Sequence, residues 1–568
     1  MTPDARLDAR LDARLARLSR GWRGPALAAL IAFIAGLPGL IAAPPLDRDE
    51  SRFAQATAQM LETHDFVVIR FQDQPRFKKP VGIHWMQALS VSLVSNPEAR
   101  AIWAYRLPSL AGAMLAAAAC AWGAAAFFGA EAAMFSGAML GATLLLSTEA
   151  MIAKTDAVLC GTTTLALAAL ARIYAAARDG PPAPRSAVWL FWAAIGLATL
   201  VKGPVGPMVA ALAIVLLAIL DRRPGWLLRM KWVWGLIVVA LIVGPWAGAV
   251  TVATDGTFWS AAFGGDLAPK LAGGQETHGA PPGLHALLAP VLTFPMTLLL
   301  PAAAVAAWRR RREPGIRFAL AWLVPAWLVF EAMPTKLVHY PLPTYGALAW
   351  LSGAALVQPI GPRARWTGAA LSALVGLLLA AASLYVLHAY GDRSDAPIAI
   401  VAALLLAAAG LSGAWLLARR RPREAVIAAV AFGVLGHAAL LAGLAPRLAP
   451  LWLSARTEAA MEKAQLLPRQ GIADAPVAVT GYAEPSLVFA LGTATELDTP
   501  QEAAQAIAEN RPAVVEGRQD AAFHAALKGA GVVAVPVSEV RGLDYSTGKK
   551  MTLRIYEARP AADQGGRP

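Results

Sequence analysis

The sequence predicts a polytopic, all-α membrane protein with a small α/β domain at its C-terminus. Hydrophobic residues make up 57% of the 568 and charged residues only 15%, with a mean hydropathy of +0.51, which excludes an ordinary soluble enzyme. Apolar windows long enough to cross the hydrocarbon core recur about thirteen times between Pro25 and Leu444. Beyond about Ala449 they give way to short strand-like runs separated by helical stretches.

The windows fall at 25–43, 104–128, 131–148, 157–177, 187–203, 205–220, 231–251, 285–306, 317–332, 341–358, 366–388, 397–418 and 424–444. Their flanks are charged asymmetrically. Arg6 to Arg23, Asp221 to Lys231, Arg309 to Arg312, Arg363 to Arg365 and Arg419 to Arg421 all fall on one side, the cytoplasmic side under the positive-inside rule. An odd number of crossings then puts loops 44–103 and 252–284 and the tail on the other side, the periplasm of a bacterial inner membrane.

The expected organisation is an Arg-rich N-terminus over 1–24, a transmembrane domain over 25–448 and a periplasmic α/β domain over 449–568. The repeat Asp-Ala-Arg-Leu within residues 4–15 suits a helix on the membrane surface. The first apolar run has no small-residue cleavage site and reads as an uncleaved helix. The net charge of +13 lies mostly in the cytoplasmic loops, where orientation and anionic headgroups account for it, so no nucleic-acid partner is expected. Cys120 and Cys160 both lie inside apolar windows and read as packing residues.

In the tail, Val477 to Val479, Ala513 to Val515, Val532 to Val537 and Thr552 to Tyr556 read as strands and Pro500 to Ala508 as a helix.

Charged residues at membrane boundaries are costly unless the site uses them. Asp49 and Glu50 follow the first window, beside Arg48 and Arg52, and Arg76, Lys78 and Lys79 lie later in the same loop. Glu149, Lys154 and Asp156 separate the third and fourth windows, Lys202 ends the fifth, and Lys336, His339 and Tyr340 precede the tenth. Singly, each has a plain explanation: a Lys at a helix end snorkels to the headgroups, and Asp156 caps a helix. Together they share one face. Cations and a tyrosine can hold a departing lipid phosphate while a carboxylate serves the incoming hydroxyl, which suits group transfer from a lipid phosphate. A lipid-linked sugar flippase is the alternative, but no internal repeat is evident and the charges sit at one face rather than at mid-depth.

Asp49-Glu50-Ser51-Arg52-Phe53 and Phe77-Lys78-Lys79-Pro80-Val81-Gly82-Ile83-His84-Trp85 resemble the N-terminal signature of the aminoarabinose transferase (ArnT-like) branch of the bacterial membrane glycosyltransferases. These are relatives of the protein O-mannosyltransferases and have the GT-C fold. The resemblance continues through Thr155-Asp156, Val201 to Pro204, Pro334 to Pro343 and, weakly, Tyr482 to Leu487. It implies an inverting transferase that takes a sugar from a polyprenyl phosphate, usually undecaprenyl phosphate, without a nucleotide. The implied acceptor is lipid A, another lipopolysaccharide sugar or envelope glycolipid, or a protein hydroxyl; the other expected partners are membrane lipids, with the chain a monomer.

Carried over by position, the resemblance makes Asp49 the base or acceptor-orienting group, with Glu50 in support. It makes Arg52, Lys79 and Tyr340 donor-phosphate contacts, lines the same cavity with Asp156 and Lys202, and adds the charge of Lys336. One position departs. The family commonly has Glu before the Lys-Pro of this loop, which helps bind a divalent metal (zinc or magnesium) together with a histidine of the long loop. Lys78 stands there instead and would repel a cation at short range. His278 remains as a metal candidate, with Glu276 nearby, and Lys78 is expected to neutralise the donor phosphate in the metal's place.

Overall fold

The structure, a computed structural model, describes residues 3–222, 224–267, 280–468, 476–528 and 531–560. The chain is a multi-pass membrane protein. Among the described residues, eight helices combine at least 18 residues with membrane-like hydropathy: Arg23–Ala42, Ile102–Ala124, Asp156–Ala176, Trp232–Ala253, Pro314–Ala332, Pro362–Tyr390, Arg393–Ala418 and Pro422–Arg447. Ala187–Lys202 and Val205–Asp221 are apolar but shorter.

Two windows expected as single crossings are broken. The 131–148 window splits into helices Gly129–Gly141 and Leu144–Glu149. The 285–306 window bends by 113° between Leu284–Leu292 and Met296–Arg309, where Pro290 and Pro295 supply no amide to continue the ladder. The breaks support each other, because the Leu144 amide donates to the Phe294 carbonyl at 2.8 Å. Irregular backbone survives at membrane depth when protein groups satisfy it, and a hydropathy window cannot show that pairing. The 341–358 window also shortens, to Tyr345–Leu356 after a 3-10 turn over Leu342–Thr344.

Small residues set the closest helix approach. Ile102–Ala124 crosses Asp156–Ala176 where a Cβ on Gly112 would lie 2.6 Å from the Val158 Cα, so larger residues there would separate the helices. At the arginine-rich face, Arg423 bonds both Glu131 and Asp12. Asp221 there takes Arg178, Arg317 and the Tyr174 hydroxyl. These ties join segments that the charge pattern placed on one side.

The C-terminal sheet has the order Glu496–Leu497, Ala478–Thr480, Ala513–Glu516, Lys549–Pro560, Val532–Asp544. The first three strands are parallel and the last two form an antiparallel hairpin with an irregularity between Pro536 and Ser538. Alternate residues face opposite layers: Val514 packs with Leu487 and Leu553, while Ala513 and Val515 pack with Phe523 and Tyr556. Thr499 and Glu502 form a capping box that starts Pro500–Ala508. The edge strand Glu496–Leu497, only two residues long, carries no pattern to read in advance.

Candidate active site

Arg106 is among the largest fully buried side chains, and its ionic partner is Glu50. Arg106 Nε donates to Glu50 Oε1 at 2.7 Å and its second terminal nitrogen to Oε2 at 2.8 Å. The backbone amides of Leu46 and Ala153 complete the carboxylate at 2.8 and 2.7 Å. The remaining guanidinium hydrogens serve the carbonyls of Leu40, Ala43 and Pro44, satisfying orphan acceptors where helix Arg23–Ala42 ends. One fork thus ties the first crossing, the start of helix Asp49–Thr63 and the Ala153 turn.

This engagement changes the reading of Glu50. Its oxygens are fully committed, whereas Asp49 beside it is exposed and makes no side-chain hydrogen bond or ion pair among the described residues. Arg48, just before it, is held at φ 61° and lies 3.6 Å from Glu484 of the C-terminal domain. Arg106 was missed because it lies inside a window read as apolar; an ionisable residue within a span is itself the signal that finds it.

Beside the Ala153 turn lies a buried ionic cluster. Lys154 Nζ is 3.1 Å from Glu149 and 3.7 Å from Asp156, and Lys202 Nζ is 2.5 Å from Asp156. The His339 ring lies 3.8 Å from Glu149 and 3.7 Å from Asp156. Lys202 also sits 5.6 Å from the Tyr340 ring centroid, and Asp49 is close enough to act on the charge of Lys154. Two lysines thus face two carboxyl groups, and Asp156, in contact with both lysines, is an anchor of the cluster rather than an unengaged base. Lys336 is placed differently: it turns back to the Met333 carbonyl at 2.7 Å.

The second motif divides between packing and charge. Gly82 lets its helix press on the end of Ala187–Lys202, since a Cβ there would lie 2.6 Å from the Leu200 carbonyl oxygen. His84 stacks on Phe53, and the Arg76 guanidinium lies over that ring at 4.7 Å from its centroid. Thr57 donates to Gln87 and so accepts from His84 Nδ1–H; burial pushes this histidine down to about 3, making it a neutral packing group. Lys78 remains exposed and Lys79 half-buried, and Arg52, on the helix that Asp49 begins, is also half-buried. His278 and Glu276 lie outside the described residues.

The C-terminal domain closes on the same segment. Asp47 accepts a hydrogen bond from Ser486, its amide meets the Tyr545 hydroxyl at 2.6 Å, and Ser454 links Ser486 to Tyr482. Burial, reinforced by neighbouring carboxylates including Asp544, pushes Asp47 up to about 6 and Glu484 to about 7, against the opposing pull of Arg48 and, at Glu484, Arg52. A raised carboxyl pKa gives stability that is full below its unfolded value and lost as pH rises through the folded one. Thermal unfolding of this junction is therefore expected to become easier between about pH 4 and pH 7. Glu484→Gln should gain on wild type across the upper part of that window; a pH-independent difference between the two would refute the assignment.

The family described as dolichyl-phosphate-mannose-protein mannosyltransferase matches residues 78–247. The undecaprenyl phosphate-alpha-4-amino-4-deoxy-L-arabinose arabinosyl transferase of Aeromonas salmonicida is 30% identical over 373 residues, 63% of this chain and 66% of that relative. Its Aeromonas hydrophila counterpart is 29% identical with the same coverage. The chain thus spans slightly less than two thirds of these relatives. In architecture it matches ArnT from Cupriavidus metallidurans in the apo state with a TM-score of 0.74 at 21% identity, covering 95% of this chain and 98% of that one. The same protein bound to undecaprenyl phosphate gives 0.74, covering 93% and 97%. In sequence and in fold, the chain is ArnT-like and carries the GT-C architecture.

Proposed function

We propose that this chain is an inverting glycosyltransferase that moves a sugar from a polyprenyl phosphate to an envelope acceptor, lipid A or another lipopolysaccharide component, at the periplasmic face of a bacterial inner membrane. The observation that carries the reading is an exposed carboxylate, Asp49, with no hydrogen bond or ion pair among the described residues, on the helix that also carries Arg52 and close enough to act on the charge of Lys154 in the buried ionic cluster. Similarity to relatives named for an undecaprenyl phosphate-linked aminoarabinose donor supports that donor class.

The acceptor oxygen attacks the anomeric carbon opposite the phosphate. The carbon–oxygen bond to phosphate breaks, and its electron pair leaves on the polyprenyl phosphate. Arg52, Lys79 and Lys78 stabilise the charge gathering there, and the Tyr340 hydroxyl donates to it. A hydroxyl acceptor gives its proton to Asp49, whereas an ionised phosphate acceptor needs Asp49 only for orientation. Glu50 and Arg106 hold the helix that carries Asp49 and make no contact with the reacting atoms.

The ammonium of Lys78 stands at the sequence position where the family's metal-binding carboxylate is expected, and the other metal candidates, His278 and Glu276, lie outside the described residues. Lys78 does the cation's work on the donor phosphate.

The test supplies the purified chain, reconstituted in bilayers, with undecaprenyl phosphate-linked aminoarabinose and lipid A, with and without chelator. Aminopentose-modified lipid A together with free polyprenyl phosphate, formed equally in chelator, is expected. Lipid movement with no new glycoside would replace the transferase reading with a flippase, and chelator-sensitive turnover would refute the role of Lys78.

A further inference from the structure

The helix Tyr345–Leu356 has Tyr340 and His339 before its first turn, and at its other end, about 18 Å away, Ala355 enters the wall of a cavity of about 810 Å³. This cavity lies on the arginine-rich face, between the end of helix Leu300–Arg309, the turn Gln358–Gly361 and the start of helix Pro362–Tyr390. Val305, Ala306 and Ile360 give it an apolar floor, and Arg309, Arg310 and Arg363 stand at its rim.

The rim charges are unequal. Arg310 is held by both oxygens of Glu313, at 2.8 and 2.7 Å. Arg309 and Arg363 are exposed and make no side-chain hydrogen bond or ion pair among the described residues. With Glu313 taken by Arg310, the rim keeps an excess of two positive charges. Pro362 and Arg363 open a 29-residue helix whose first-turn amides face the same space without a side-chain cap. Trp308, next to Arg309 in sequence, and Trp366, two residues after Ala364, are 72% and 59% exposed, as aromatic residues at the headgroup level of a bilayer are. The space therefore spans the boundary between headgroups and acyl chains, with cations above and apolar walls below.

We propose that this cavity binds an anionic glycerophospholipid, with the phosphate between Arg309 and Arg363 and the upper acyl chains against Val305, Ala306 and Ile360. A zwitterionic headgroup would bring its own cation to the rim and lose the advantage. Free phosphate would leave the apolar floor uncovered. The polyprenyl phosphate of the transfer reaction belongs to the opposite face.

Native mass spectrometry of the delipidated full-length chain, titrated with phosphatidylglycerol, phosphatidylcholine, undecaprenyl phosphate or inorganic phosphate, tests this. Wild type is expected to retain one phosphatidylglycerol about tenfold more tightly than phosphatidylcholine, on the scale of two surface cations near a headgroup. Arg309→Gln with Arg363→Gln should lose that preference. Ala306→Trp fills the floor, keeps both arginines and should lose binding with the topology signal intact. Each variant is compared at an unchanged lipid-free melting temperature, and the phosphatidylglycerol preference of wild type is decisive by itself should a variant not fold. Equal binding of the two phospholipids, retention by Ala306→Trp, displacement by undecaprenyl phosphate, or equal stabilisation by inorganic phosphate would each overturn the proposal.

Discussion

Asp49→Asn is expected to lower kcat for sugar transfer by about 10²–10⁴-fold when the acceptor is a hydroxyl, the usual worth of a positioned general base. Donor binding should stay within a few-fold, because the phosphate is held by cations rather than by Asp49. Single-turnover transfer and donor-lipid binding by native mass spectrometry separate the two. The substitution is nearly isosteric and the exposed side chain makes no hydrogen bond or ion pair among the described residues, so the fold should be untouched. An ionised phosphate acceptor predicts a different pattern: a smaller loss and no loss of an acidic limb from the pH–rate profile, since no proton is taken. Full activity in Asp49→Asn would remove Asp49 from the reaction altogether.

The contrast between Asp49 and Glu50 shows how much of the site was legible in the sequence. Position after a crossing, and cations in the same loop, are one-dimensional facts, and they were enough to point to this face. Which of two adjacent carboxylates is committed depends on a guanidinium 56 residues away and an amide 103 residues away. Glu149, Lys154, Asp156, Lys202 and His339 were grouped by side of the membrane, and the structure joins them in one cluster. That the two lysines of the cluster are paired with its two carboxyl groups followed only from distances.

The fold was legible where hydropathy and charge suffice. It was not legible where two interrupted helices satisfy each other, as Leu144 and Phe294 do. Lys336 shows the same limit at the site, for its position in the loop did not reveal that its ammonium turns back to donate to the Met333 carbonyl.

Removing Arg106 should do the greatest damage to the fold. Arg106→Ala leaves the Glu50 carboxylate buried with two amide donors and strips the carbonyls of Leu40, Ala43 and Pro44 of their partner. Breaking a buried pair from one side costs about 3–5 kcal/mol, because the surviving charge has nowhere to go. Arg106→Lys should fall between wild type and Ala, keeping the charge but losing the fork that reaches three backbone oxygens and a carboxylate at once. Removing both members, as in Arg106→Met with Glu50→Leu, should recover only the part of the loss due to the uncompensated charge, because the carbonyls of Leu40, Ala43 and Pro44 and the amides of Leu46 and Ala153 stay without these partners. Melting of the four purified proteins in detergent measures this pattern. Activity should not recover with stability: without the fork, helix Asp49–Thr63 loses its ion-paired tie to the end of the first crossing, and the double variant should melt between Arg106→Ala and wild type while Asp49 is poorly placed. A fall in kcat larger than the change in KM, measured below the melting transition of the double variant, would separate positioning from folding. Full activity in the double variant would show that the clamp serves stability alone.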